Sequence, residues 1–262
     1  MSILIFIIIS ISAIFAPYIT PFDYDEIVDS SLLQPSSEYL FGTDEIGRDI
    51  FTRILFASRV SMLVGLISTS IGLIVGVSLG LISGFYGGKI DTLISRVLDA
   101  LLAFPSIILA LAVMAVLGPN IYNAMLAIGV VSIPIFARIT RNNVLSIKET
   151  EFVEASRSMG AGDGRIMSLV ILPNCLSPLL VQFSLTFATA VLTEAALSFL
   201  GLGVQPPTPS LGSMLNDGRN FLGQAPLYSI ISGGVVFLTV MCLNLLGDGL
   251  RDLFDPREVK KV

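Results

Sequence analysis

The sequence predicts an all-α integral membrane protein with six membrane-crossing helices. Three observations carry this reading. Of 262 residues, 53% are hydrophobic and only 13% charged, about half the ~25% charged content of soluble globular domains; mean hydropathy is +0.85. The charges are gathered between long charge-free runs: Met1–Phe22, Val60–Gly88, Ala100–Ala137, Ile166–Thr193 and Asn220–Gly247. Each run is close to, or longer than, the ~20 apolar residues a helix needs to cross hydrocarbon. Composition does not shift between halves, so a single domain over residues 1–262 is expected.

Composition also excludes several functions. With a net charge of −5 and no basic cluster, nothing here neutralises a nucleic-acid backbone. There is no histidine, which removes histidine metal sites, Ser-His-Asp and Cys-His triads and HExxH zinc sites. Cys175 and Cys242 sit among apolar residues and read as reduced packing residues. No phosphate-binding GxxxxGK[ST] loop occurs, and no cofactor or metal site is expected.

Spans are expected near residues 2–16, 60–82, 97–117, 121–141, 175–198 and 227–247. The first is short, but lacks the basic flank of a signal peptide and is read as a retained helix. Ala100–Ala137 is too long for one crossing, and Gly118-Pro119-Asn120 divides it. With the amino terminus inside, inner loops hold Lys89, Arg96, Arg138, Arg141, Lys148, Arg157, Arg165, Arg251, Arg257, Lys260 and Lys261. Outer loops then hold only Arg48, Arg53, Arg59 and Arg219. The excess of basic residues inside favours this orientation, with both termini cytoplasmic. It gives an outside segment at 17–59, a cytoplasmic loop at 142–174 and an outside loop at 199–226.

Within the outside segment, Phe41-Gly42-Thr43-Asp44-Glu45-Ile46-Gly47-Arg48-Asp49 reads as a folded external loop. Its glycines allow tight turns, and Asp44, Arg48 and Asp49 can pair. In the second span Gly72, Gly76 and Gly80 recur every fourth residue, making a flat stripe where another helix can approach closely. Pro105 and Pro134 each remove a backbone hydrogen bond, so kinks or local unwinding are expected. Arg138 and Arg141 face one way and read as headgroup-snorkelling side chains. Glu194 is the only acidic residue well inside a span. It is placed near the outer end, in water or paired within the bundle, in preference to a proton-carrying role. Gly201–Arg219 is an outer loop dense in Gly and Pro.

The inner loop is the most informative stretch. Glu151–Met159 has helical character, Gly160 is a plausible stop, and Gly162 and Gly164 break the chain before a second helix near Arg165. Small residues on a short helix let another protein's surface come close.

In that loop Glu154-Ala155-Ser156, Gly160, Val170 and Leu172-Pro173 have the spacing of the Glu-Ala-Ala motif of ABC importer permeases, which they resemble. Ser156 and Val170 are mild departures. FGTDEIGRDIFTR at Phe41–Arg53, LDALLAFPSIILA at Leu98–Ala110, LSFLGLGVQPPTPSLGSMLNDGR at Leu197–Arg219 and LLGDGLRDLFDPR at Leu245–Arg257 resemble the peptide and nickel permeases, in particular the second permease subunit of dipeptide and oligopeptide importers. Leu211 stands where that family usually has Trp, and no His precedes the Ile-Leu-Pro. The family's cytoplasmic segment ahead of the first span is missing here, and the natural start is left open. The resemblance implies the type I ABC importer permease fold in the plasma (inner) membrane, with a homologous permease as partner in a heterodimer. It also implies two ATP-binding subunits on the inner face and an external substrate-binding protein. The coupling helix would dock on an ATP-binding subunit through Glu151, Glu154, Ala155, Ser156, Gly160 and Ala161. Glu154 would pair with a basic group, and Ala155 and Gly160 would permit close approach. Leu172 and Pro173, with Gly42, Asp44, Gly47, Arg48 and Asp49, would be structural. Peptides are the expected cargo; a nickel-type importer of the same family is the alternative, and an ion-coupled secondary transporter a remoter one.

Overall fold

A computed structural model describes residues 2–254. Helices are α1 Ser2–Ile14, α2 Ala16–Ile19, α3 Ile50–Tyr86, α4 Gly88–Leu102, α5 Ser106–Leu117, α6 Ile121–Ile147, α7 Glu151–Ser158, α8 Asp163–Arg165, α9 Leu172–Phe199, α10 Leu211–Gly218 and α11 Pro226–Phe254. A π-helical turn, Ile166–Ile171, joins α8 to α9. Among the described residues, extended pairing is limited to one bridge between Thr43 and Asp49.

Four helical stretches are long and apolar enough to cross a membrane: Ile50–Tyr86, Ile121–Ile147, Asp163–Phe199 and Pro226–Leu253. Their lengths depart from the expected spans in one direction. Helix α3 has 37 residues, ~55 Å at ~1.5 Å per residue. It starts at Ile50, so Ile50–Arg59 is helix where the sequence predicts an outside loop. The cause is local: the Asp49 carboxylate accepts the Thr52 N–H at 2.8 Å and caps the helix there. Likewise α6 runs on to Ile147, and α9 is continuous with the helical turns from Asp163, so the 142–174 loop shrinks to a short excursion around α7. The 199–226 loop contains α10, capped by the Ser210 hydroxyl on the Ser213 N–H. Of the basic residues used for orientation, Arg257, Lys260 and Lys261 lie outside the described residues.

The span expected at 97–117 is corrected. It is two helices, α4 and α5, bent by 92°. Pro105 lacks an N–H and disfavours helical backbone before it, so α5 restarts at Ser106. Helix α4 is amphipathic. Ile90, Leu93 and Val97 are exposed, while Asp91 and Asp99 turn to α6, where Arg141 makes two bonds to Asp91 (2.6 and 2.7 Å) and Arg138 meets Asp99 at 2.6 Å. The two arginines read as snorkelling are thus bound to α4. At the other proline, Pro134, the helix assignment of α6 is unbroken. The Gly118-Pro119-Asn120 break is observed, and the Asn120 side chain caps α6 by accepting the Tyr122 N–H at 2.9 Å. The first helix has 13 residues, ~20 Å, and is short against ~30 Å of hydrocarbon. It packs on α3 and α11 and leaves Leu4, Ile8 and Ile11 exposed.

The most extensive helix pairing among the described residues is α3 against α6. A Cβ built at Gly72 would lie 2.6 Å from Ser132 Cβ, at Gly76 2.6 Å from the Ile133 carbonyl oxygen, and at Gly80 2.5 Å from that of Ala137. The glycine stripe is therefore a backbone-to-backbone seam, and two of its contacts are with main-chain atoms that no rotamer change can move. Gly76→Leu should destabilise by more than the ~1–3 kcal/mol usual for overpacking. The expected outcome is a sharp drop in folded protein by detergent size-exclusion chromatography, against little change for Gly234→Leu, where a Cβ meets nothing within 4 Å.

Candidate functional site

Two sites anticipated in the sequence lie at opposite ends of the helix bundle, one around α7 and the other around residues 41–49.

Helix α7 hangs on a single buried side chain. Val153 packs with Phe136, Val144, Ile166, Ile171, Cys175 and Leu179, while Glu151, Phe152, Glu154, Ala155, Arg157 and Met159 are exposed. Two acidic residues, Glu151 and Glu154, occupy its first turn, where the helix dipole favours negative charge. Its end is a Schellman cap: the Gly160 N–H donates to Arg157 O and the Ala161 N–H to Ser156 O. Gly160 has φ +84°, a conformation that strains any side-chain-bearing residue. Ser156 is half-buried, its hydroxyl donating back to Phe152 O at 2.8 Å, and Ala161 packs against the Val153 cluster. Glu154 lines a cleft of about 350 Å³ with Lys148, Glu149, Val153, Arg157 and Ser158. The loop is tethered to the end of α3, since Lys148 Nζ donates to Gly84 O at 3.1 Å and Arg157 lies 5.9 Å over the Phe85 ring. Leu172 and Pro173 open α9. Pro173 has no N–H to give the carbonyl one turn back, which suits the π-helical turn just before it. The arrangement is a short exposed polar helix with a stiff end, joined to a long apolar helix. It has no reactive group and is suited to contact.

At the other end Asp44 is fully buried. Its carboxylate accepts from the Ile46 and Arg48 N–H groups, both at 3.0 Å, and from Arg48 Nε at 2.7 Å, with Arg53 Nε 3.3 Å away. Gly42 and Gly47 have positive φ, and a Cβ on either would lie about 2 Å from a carbonyl oxygen, that of Leu33 or Asp29. Residues 27–34 thus lie directly over the motif. Of the expected trio, Asp44 and Arg48 pair, whereas Asp49 caps α3. Three participants were not singled out in the sequence. Arg53 donates to Tyr24 O at 3.0 Å, Glu45 accepts from Arg48 at 3.2 Å, and Asp217 on α10 stands close enough to feel both arginines. Arg53 was counted as a loop charge; the signal was its position four residues after Asp49, one turn into a capped helix.

Residues 76–260 match the family described as binding-protein-dependent transport system inner membrane component. The chain belongs to this family. It is 50% identical over 246 residues to the dipeptide transport system permease protein DppC of Alkalihalophilus pseudofirmus, covering 94% of this chain and 81% of that one. It is 44% identical over 247 residues to the glutathione transport system permease protein GsiD of Pectobacterium atrosepticum, covering 94% and 82%. In fold it is similar to a chain of the inward-facing MetNI methionine ABC transporter, with a TM-score of 0.64 at 21% identity, covering 79% of this chain and 98% of that one. The permease is accordingly a multi-pass inner-membrane transport subunit of the type I ABC importer fold, without an ATPase site of its own and working with other ABC components.

The Asp44 cluster has a defined pH response. Burial raises the Glu45 carboxyl, with Asp44 beside it adding to the effect. Burial also raises Asp217, more than the nearby Arg53 and Arg48 lower it. An acid whose folded pKa is raised binds protons more readily folded than unfolded, so stability falls as pH rises through the window from the ordinary carboxylate range to the raised value. Acidifying through that window should therefore raise the Tm of the permease, and the slope should shrink in Glu45→Gln/Asp217→Asn. Asp44→Asn should cost about 3 kcal/mol, because it takes from the buried Arg48 and Arg53 the carboxylate they share and leaves only Glu45 and Asp217 at the edge of the cluster to balance them; a chemical-denaturation midpoint would check this.

Proposed function

We propose that this permease pairs with a homologous permease subunit to form the translocation path of an ATP-driven importer for di- or oligopeptides, and that α7 is the helix seated on an ATP-binding subunit. The exposed, end-capped α7 carries this reading. It exposes Glu151, Glu154 and Ala155 beside a polar cleft, followed by the exposed Gly160, with Ser156 half-buried and Ala161 packed on the Val153 cluster, and Val153 is its one buried side chain. Energy would arrive mechanically: closure of the ATP-binding subunits displaces α7, and the Val153 cluster passes the displacement to the start of α9. The peptide cargo is supported by relatives named for dipeptide and glutathione transport. An external binding protein would deliver the cargo at the Asp44 end.

In this reading the chain is one domain that crosses the membrane six times, the bent pair α4–α5 counting once and α1 forming the first crossing. Both termini and α7 are cytoplasmic, in line with the Lys and Arg distribution. Leu172 and Pro173 set the joint between α7 and α9, and the Gly42–Asp49 motif is structural.

Two variants test the docking. Glu154→Arg reverses the charge in the cleft, and Gly160→Trp puts bulk and a strained φ at the end of α7. Both should reduce uptake of a radiolabelled dipeptide at least about tenfold, the effect of ~1.4 kcal/mol at the docking contact, while membrane expression is unchanged. Wild-type uptake by both variants would overturn the docking role. Calorimetric titration of the cognate binding protein with a peptide mixture, giving heat that nickel does not, is the expected result for the cargo.

A further inference from the structure

Glu194, on the last two turns of α9, is fully buried. The Ser61 hydroxyl of α3 donates to its Oε2 at 2.6 Å, and the Ser198 hydroxyl to its Oε1 at 2.8 Å. Ser198 Oγ accepts in turn the N–H of Val204, at 3.1 Å, from the segment that follows the helix. That segment folds straight back: the Leu202 and Gly203 N–H groups donate to Leu197 O at 2.9 and 3.2 Å. Nothing larger than glycine fits where it does so. A Cβ at Gly203 would lie 2.1 Å from Ser198 Oγ, and one at Gly212, in α10, 2.0 Å from the Ala195 carbonyl oxygen. Helix α3, the end of α9, the returning segment and α10 therefore converge on the single turn Glu194–Ser198. None of the ion pairs among the described residues involves Glu194. A buried carboxyl met by hydroxyls alone is a costly group, and an apolar residue would pack this position without that cost.

Helix α9 starts, at its far end, from the turn whose Ile166 and Ile171 pack on Val153 of α7. From Leu172 to Glu194 is ~33 Å of continuous helix. We propose that Glu194 is a positioning residue for transport. Through Ser61 and Ser198 it locks the segment 200–212 to α3 and α9, so that a displacement of α9 imposed at α7 moves that segment with it. The lock works by hydrogen bonding. It rests on α7 being the element that docks on an ATP-binding subunit.

The test uses the complete transporter in proteoliposomes, with partner permease, ATP-binding subunits and binding protein. A thiol-reactive fluorophore on Gln205→Cys reports the returning segment. Glu194→Gln keeps two polar atoms in place, one serine hydroxyl turning to accept from the new amide NH2, and should retain uptake and the ATP-dependent fluorescence change. Glu194→Ala should keep the ATP-binding subunits bound through purification and still hydrolyse ATP, but lose the fluorescence change and about tenfold or more of uptake, the scale of one or two lost buried hydrogen bonds. Ser198→Ala removes the link to Val204 together with the bond to Glu194 Oε1 but leaves Glu194 bonded to Ser61, a milder cut than Glu194→Ala, and should uncouple in the same way. Wild-type fluorescence and uptake in Ser198→Ala would overturn the proposal, as would a Glu194→Gln protein that assembles yet is as defective as Glu194→Ala. Failure of the docking role is separately visible as normal retention of the ATP-binding subunits in Glu154→Arg.

Discussion

The main-chain contact between α3 and α6 is the constraint on which the rest of the permease depends. In lipid no hydrophobic drive pulls helices together, and association comes from van der Waals packing and interhelical hydrogen bonds. Gly72, Gly76 and Gly80 supply that packing by removing every side chain from one face of α3, so that Ser132, Ile133 and Ala137 approach the backbone itself. Two long helices held this way form a rigid beam. The other elements are placed against it: α9 along α3 through Gly65 and Phe187, α4 across the end of α6 through Arg141 and Asp91, and the residue 41–49 loop over the start of α3.

Much of this was legible in the sequence because the signals are local and chemical. Glycines at every fourth position mean a close helix seam wherever they occur in an apolar span. The Gly118-Pro119-Asn120 break, the glycine stop after α7 and the break at Pro105 each follow from a single residue's backbone. What was missed depends on partners distant in sequence. Arg53 counts as a loop charge until Asp44 is seen beside it, and once paired it can sit inside a helix that starts at Ile50. Arg138 and Arg141 look like headgroup ligands until α4 bends by 92° and brings Asp99 and Asp91 to them. The bend itself was foreseeable; which face of α4 turns inward depends on those two aspartates.

The two polar sites differ in how they treat charge, and the difference fits the roles proposed for them. In the Asp44 cluster the central carboxylate is met within the chain by backbone amides and guanidinium, so that it fixes a long irregular segment to the first turn of α3. Around α7 the polar groups are left open: Glu151 and Glu154 have the favourable end of the helix dipole but no ion-pair partner among the described residues. A closed network stabilises the chain that contains it, whereas an open one is available to another surface.

Between these ends, α9 is the element best placed to carry displacement. Helix α3 is held to α6 by main-chain contacts along its second half, from Gly72 to Gly84. Helix α9 instead begins in a π-helical turn beside Pro173, contains Pro178, and meets α3 largely through side chains, with Phe187 against Gly65. Side-chain contacts can slide where main-chain contacts cannot. On the proposed docking, a push at α7 would meet the α3–α6 seam on one side and α9 on the other, and α9, which carries Glu194 near its end, is the helix that would give way.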